Sequence, residues 1–148
     1  MFAYAVAALL LQSSDFTISD TTDNETGIRT VFAVQIDVDE AKRMSFMKLE
    51  CVDHRPSVIF EFYDFTAPEW AVVALGGGDS ADTPFIFHRN PDRSSELVLY
   101  GEANVLVGQL GEDSIRRFIA YASHGTREAS FGMTGLAKAW QRVSAICR

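Results

Sequence analysis

The sequence contains few of the residues that normally reveal chemistry through short motifs. Only two cysteines, four prolines and three histidines occur among its 148 residues. No CxxC pair and no HExxH pattern is present, which excludes the common short zinc-binding and metalloprotease motifs. Beyond the N-terminus, no apolar run approaches the ~18 residues of a membrane-spanning helix. We therefore expect no metal site, no cofactor and no stable membrane span.

Basic residues are also in short supply. The chain has 13 Lys and Arg against 20 Asp and Glu, for a formal net charge of -7, and most of the acidic residues precede residue 100. A protein that binds nucleic acid relies mainly on cationic contacts with phosphates. The charge therefore argues against nucleic acid as a partner.

Hydrophobic residues, by contrast, are plentiful. They make up 47% of the chain, which is enough for the core of one domain, and we expect a single β-rich domain over residues 15–148. Short runs rich in Val, Ile and Phe, divided by polar turns, predict strands. The predicted strands cover 16–19, 30–36, 45–51, 56–63, 83–88, 96–100, 115–122 and 128–133.

The segment 66–83 interrupts this pattern and is expected to form a loop or hairpin tip, because Gly76 to Gly78 break regular structure. Apolar spacing predicts a short helix near 103–110 and a C-terminal helix near 135–146, capped by Thr134. The expected fold class is thus mainly β (α+β), an antiparallel sheet or sandwich with two helices.

An apolar run, Phe2 to Leu11, opens the chain and is followed by polar residues. Its length is typical of the central region of a signal peptide and too short to span a bilayer. No Lys or Arg precedes it, and the residues at the cleavage positions are imperfect. Residues 1–14 are therefore predicted to be a signal peptide, or else the buried first strand or helix of a cytoplasmic domain.

The two cysteines, Cys51 and Cys147, are far apart in the sequence. They are either joined in a disulfide or present as two buried thiols. A bridge would close a loop of nearly the whole domain, for which the chain-entropy model gives about 4 to 5 kcal/mol of stabilisation. Export to an oxidising compartment would favour the bridge.

Polar and aromatic candidates for a site are scattered. Phe65 and Trp70 flank Pro68 and are the best aromatic candidates for an exposed binding patch, although the pattern favours a small local core under a loop as their role. His88 and Arg89 are the other candidates for a binding site, and His88, Arg89 or Asp79 are the polar groups that a hydrolase would use. No GxSxG elbow is present, and we assign no catalytic residue.

The order of features from Leu49 to Cys147 carries a family resemblance. A strand ends in Cys51, a strand ends in the Arg-containing turn at 88–90, and the chain closes with ASFGMTGL at 129–136, a helix and Cys147. This order resembles the TagO/VasI family of type VI secretion-associated proteins, which are small, bacterial and predicted to be exported. The family's Tyr-Arg-x-Asp turn appears here as His88-Arg89-Asn90-Pro91, which lacks the carboxylate, and Phe16 stands where the family tends to carry Trp.

The resemblance implies an exported, β-rich accessory protein without enzymatic activity, with Cys51 and Cys147 as disulfide partners. The leading hypothesis is thus a non-catalytic accessory or binding domain of the bacterial envelope, periplasmic or secreted, with a protein partner there and a link to type VI secretion. The alternatives are a small hydrolase of unknown substrate and a structural component of a phage or mobile element. A cytoplasmic location is the alternative to export.

Overall fold

The computed structural model describes residues 15–76, 84–99, 101–111 and 115–147. This part of the chain forms nine strands and two helices. The strands are β1 Thr17–Thr22, β2 Arg29–Val38, β3 Met44–Val52, β4 Arg55–Glu61, β5 Trp70–Gly76, β6 Pro84–Asn90, β7 Arg93–Leu99, β8 Ile115–Ala122 and β9 Gly125–Gly132. The helices are α1 Ala103–Gln109 and α2 Leu136–Ile146.

All nine strands pair antiparallel in one sheet, in the order β1-β2-β3-β4-β7-β6-β5-β8-β9. The predicted mainly-β class with a short helix and a C-terminal helix is therefore confirmed. The neighbours β3 and β4, β6 and β7, and β8 and β9 form the hairpins that the turn residues predict. The pairs β4–β7 and β5–β8 join segments that are distant in the sequence.

The prediction of a loop or hairpin tip over 66–83 was wrong for its middle part. Trp70–Gly76 is strand β5, which lies between β6 and β8 and pairs with both. Strand β5 carries apolar residues on both faces, with Val72 between the buried Ala71 and Val73, so its sequence does not alternate between apolar and polar residues. Residues 77–83, including Asp79, lie outside the described residues.

The sheet curls so that its two halves face one another across a phenylalanine core. The ring centroid of Phe60 on β4 lies 4.6 Å from that of Phe118 on β8 and 5.3 Å from that of Phe87 on β6. At the open side of the curl, the amide of Gln35 on β2 donates to the Gly132 carbonyl at 3.0 Å. The curled sheet therefore encloses one core, which places its other face outward.

Helix α2 covers part of this core. Leu136, Ala139 and Val143 are buried at three- and four-residue spacing, as the apolar periodicity predicts. The predicted cap at Thr134 was wrong, because Gly135 is the N-cap, with φ at 81°, and no side chain caps the helix. The carbonyl of Thr134 instead accepts a hydrogen bond from the backbone N–H of Phe16.

Neither helix in the described ranges has the length and apolarity needed to cross a membrane. The predicted signal peptide at 1–14 lies outside the described residues.

Candidate binding surface

The outward face of β5, β6 and β8 carries large apolar side chains. Val72 on β5 pairs with Ile86 on β6 and with Tyr121 on β8, so these three residues form a row on one face. The neighbouring residues Ala71 and Phe87 pair on the opposite, buried face. The row therefore points away from the core, with Ile86 55% exposed and Tyr121 48% exposed.

Trp70 adds to this row at the start of β5. It pairs with His88 on β6 and is 58% exposed. We call Trp70, Val72, Ile86 and Tyr121 the outer apolar face. Single exposed apolar residues are common on protein surfaces, whereas a contiguous group of them on adjacent strands is typical of an interaction site.

Two clefts border the outer apolar face. The first, of about 390 Å³, is lined by Pro68, Glu69, Trp70, Tyr121, Ala122 and Ser123. The second, of about 600 Å³, lies on the β6 side and is lined by Arg55, Pro84, Ile86, His88, Leu99, Gly101 and Glu102. The exposed aromatic rings thus stand at the edge of a concave surface, where a partner's side chain gains contact on more than one side.

The segment that leads into β5 is fixed to the neighbouring strands. The backbone N–H of Ala67 donates to the Ser94 carbonyl at 2.8 Å, and the backbone N–H of Arg89 donates to the Glu69 carbonyl at 3.1 Å. Phe65 is buried and packs its ring 5.9 Å from that of Phe62. These contacts hold the segment before Trp70 against β6 and β7 and so fix where Trp70 enters the sheet.

The four residues singled out from the sequence have different places. Trp70 and His88 are exposed cross-strand neighbours on the outer face. Arg89 is exposed and contributes its backbone N–H to Glu69. Phe65 has only 6% of its surface exposed and lies 5.3 Å from the ring of His124, so it belongs to the local core instead of the patch.

Ile86 and Tyr121 were missed as candidates at the sequence level. A signal was present in Phe85-Ile86-Phe87, because a strand that buries Phe85 and Phe87 must turn Ile86 to the other face. Tyr121 had a signal of the same kind, because a strand that buries Phe118 and Ala120 turns Tyr121 to the other face, but this signal does not indicate its neighbours. Its place beside Val72 follows from the β5–β8 pairing, which joins distant segments.

A charged cluster lies beyond the outer apolar face, toward β3, β4 and β7. The ammonium of Lys48 lies 2.6 Å from a carboxylate oxygen of Glu96 and 2.8 Å from one of Glu61. The Asn90 amide donates to the other Glu96 oxygen at 2.9 Å, and Arg93 approaches at 3.3 Å. The side chain of Glu96 is only 1% exposed, so these partners satisfy a buried carboxylate.

The environment of this cluster shifts its titration. Burial acts to raise the pKa of Glu96, but hydrogen bonds and charge from Lys48, Asn90 and Arg93 outweigh it and hold the pKa below its usual value. Burial acts to lower the pKa of Lys48, and the two glutamates reverse this, so that the pKa is raised. Burial, with the nearby Glu96 charge, raises the pKa of Glu50. The shifts at Glu96 and Lys48 thus favour the charged forms of these two residues at neutral pH.

The two cysteines are paired. A disulfide joins Cys51 on β3 to Cys147 after α2, with Cα atoms 5.6 Å apart. This separation lies in the ordinary range for disulfides. The bond ties the end of the C-terminal helix to the sheet across 96 positions of sequence.

The chain was compared with protein-family models, with curated proteins and with solved structures. No family model, curated protein or solved structure matches it. The resemblance to the TagO/VasI family therefore stays a prediction from the sequence. The features of this chain that bear on its function are the outer apolar face and the disulfide.

Proposed function

We propose that this protein is a non-catalytic binding domain exported to the bacterial envelope, where it contacts a protein partner through the outer apolar face. The observation that carries the proposal is the exposure of Trp70, Ile86 and Tyr121 together on adjacent strands. Aromatic residues are enriched at protein interfaces, and Trp and Tyr dominate their binding energy. The two clefts beside the outer apolar face make this surface concave, and aromatic residues that dominate binding energy usually pack in such pockets.

The disulfide supports the location. Disulfides persist in oxidising compartments such as the periplasm and are rare in the cytosol. The Cys51–Cys147 pair is partly buried beside the core, and it closes a long loop. An exported domain gains stability from such a bond. A role alongside a type VI secretion system rests on the sequence resemblance and is part of the same proposal.

Site-specific photo-cross-linking in the native host tests the interface. A photoreactive phenylalanine derivative replaces Ile86 at the centre of the outer apolar face. The matched control carries the same derivative at Lys138, an exposed position on α2. We expect the Ile86 probe to cross-link to a discrete envelope protein, identified by mass spectrometry, and the Lys138 probe to give no such product.

A second substitution makes the result specific. Adding Trp70→Ala to the Ile86 probe removes a neighbouring anchor from the face and is expected to abolish the cross-link. The thermal midpoints of all variants establish that they are folded. A product of equal yield from Lys138, or no product from Ile86, contradicts the proposed interface.

A further inference from the structure

The first cleft beside the outer apolar face combines two aromatic rings with a carboxylate. Trp70 and Tyr121 line it together with Glu69 and Ser123. Its volume of about 390 Å³ is at the small end of the range for ligand pockets, which runs from about 300 to 1,000 Å³. A cleft of this size suits one or two side chains of an extended partner segment.

The charge of the cleft favours a cation. Glu69 forms no ion pair with any residue in the described ranges, and the whole chain carries a formal net charge of -7. An anionic ligand would be repelled by Glu69, and the residues that line the cleft include no Lys or Arg to offset that repulsion, whereas a cation would gain from the carboxylate and from the faces of the two rings. The rings and Glu69 therefore point to the same kind of ligand.

Another aromatic residue of the same protein already receives cations. The guanidinium of Arg43 lies 4.0 Å from the ring centroid of Tyr63, and that of Arg127 lies 5.3 Å from it. In the described part of the chain, no Lys or Arg is placed over Trp70 or Tyr121 in this way. Their exposed rings remain available to a cation from outside the protein.

We propose that the partner presents an Arg or Lys side chain that binds in the cleft of Trp70, Tyr121 and Glu69. This inference rests on the proposed function. The aliphatic stem of that side chain packs on the rings, and its charge is balanced by Glu69. The outer apolar face then supports the flanking residues of the partner segment.

The test uses a synthetic ten-residue peptide of alternating Arg and Ser and a matched peptide with citrulline in place of Arg. Citrulline keeps the shape of the side chain and removes its charge. The chain has two tryptophans, so Trp140→Phe leaves Trp70 as the only tryptophan reporter. Binding is read from Trp70 fluorescence in the full, disulfide-bonded chain.

We expect the Arg peptide to change Trp70 fluorescence and the citrulline peptide to bind about tenfold more weakly. Glu69→Gln weakens binding of the Arg peptide several-fold, and added salt has the same effect. The control Glu128→Gln, on the same sheet but outside the cleft, leaves binding unchanged. A thermal midpoint for each variant confirms folding.

Equal binding of the two peptides, no effect of Glu69→Gln, or no binding of the Arg peptide up to about 1 mM overturns the cationic partner. These results leave the proposed function intact if the Ile86 probe still cross-links to an envelope protein. Loss of that cross-link removes the proposed function itself, whatever the peptides do.

Discussion

The ring centroids of Phe60 and Phe118 lie 4.6 Å apart, although three strands separate β4 from β8 in the sheet. This contact is possible only because the sheet curls on itself. Both side chains are fully buried, and Phe60 also contacts Phe87 and Phe131. Closing the inner face in this way leaves the opposite face of β5, β6 and β8 to solvent, where the proposed interface lies.

Phe60→Ala is expected to destabilise the protein by about 3–5 kcal/mol, because it leaves a cavity at the centre of the aromatic core. Trp70→Ala is the matched control, since Trp70 is more than half exposed. Its cost is expected to be below about 1 kcal/mol. Chemical denaturation of both variants measures the difference, and similar costs would show that Trp70 is part of the core.

Much of the fold was predictable because it is local. The hairpins β3–β4, β6–β7 and β8–β9 are each made by neighbouring segments whose turn residues are visible in the sequence. The pairings β4–β7 and β5–β8 have no local signal. They depend on which arrangement of all the strands buries the phenylalanines together.

The candidate surface was predictable only in part, for the same reason. Trp70 stood out because it follows Pro68 in a weakly patterned segment. Phe65, chosen on the same grounds, is held in the core by Phe62 and His124. Tyr121 joins the surface through the pairing of β8 with β5, which the sequence pattern does not indicate.

Cys147→Ser is expected to lower the free energy of unfolding by about 2–5 kcal/mol, because the bridge restricts a long loop in the unfolded chain. Reductant is expected to lower the thermal midpoint of the unaltered protein to that of the variant, and to leave the midpoint of the variant unchanged. Calorimetry with and without reductant measures both. An unchanged midpoint in either case would show that the bond contributes nothing to stability.

The Glu96 cluster predicts a specific acid sensitivity. Since the folded pKa of Glu96 is below its unfolded value, its contribution is complete above the unfolded pKa and is lost as the pH falls through the folded pKa. Glu96→Gln removes one partner of a buried ion pair and is expected to cost about 3 kcal/mol at neutral pH. This value is at the low end of the range for such pairs, because Lys48 keeps Glu61 as a partner. The stability of the variant then falls less steeply with acid.

The basic side of the profile follows from Lys48. Its folded pKa is raised, so its contribution is complete below the unfolded pKa and is lost as the pH rises through the folded pKa. Glu50 acts with the opposite sign in acid, because its raised pKa favours the protonated folded form. Denaturation midpoints between pH 3 and neutrality, about the range in which carboxylates titrate, measure the combined contribution of Glu96 and Glu50, and midpoints between about pH 9 and pH 12 measure that of Lys48. Parallel profiles for the variant and the unaltered protein would contradict the role of Glu96.

Two glycines are expected to respond to alanine in opposite directions. Gly135 has φ at 81°, so Gly135→Ala forces a left-handed backbone on alanine and costs about 1–2 kcal/mol. Gly108 lies within α1 with open space around it, so Gly108→Ala gains about 0.5 kcal/mol from helix propensity. Thermal midpoints measure both changes. A shift of the same sign at the two positions would contradict this account of the helix boundaries.

A non-reducing peptide mass map of the protein from its native host decides whether this chain is an exported, disulfide-bonded domain. One spectrum reports both the mature N-terminus and the state of the cysteines. We predict an N-terminus near Ser13 to Asp15 and a peptide in which Cys51 is joined to Cys147. A chain that retains Met1 and has two free thiols would contradict export and with it the proposed function.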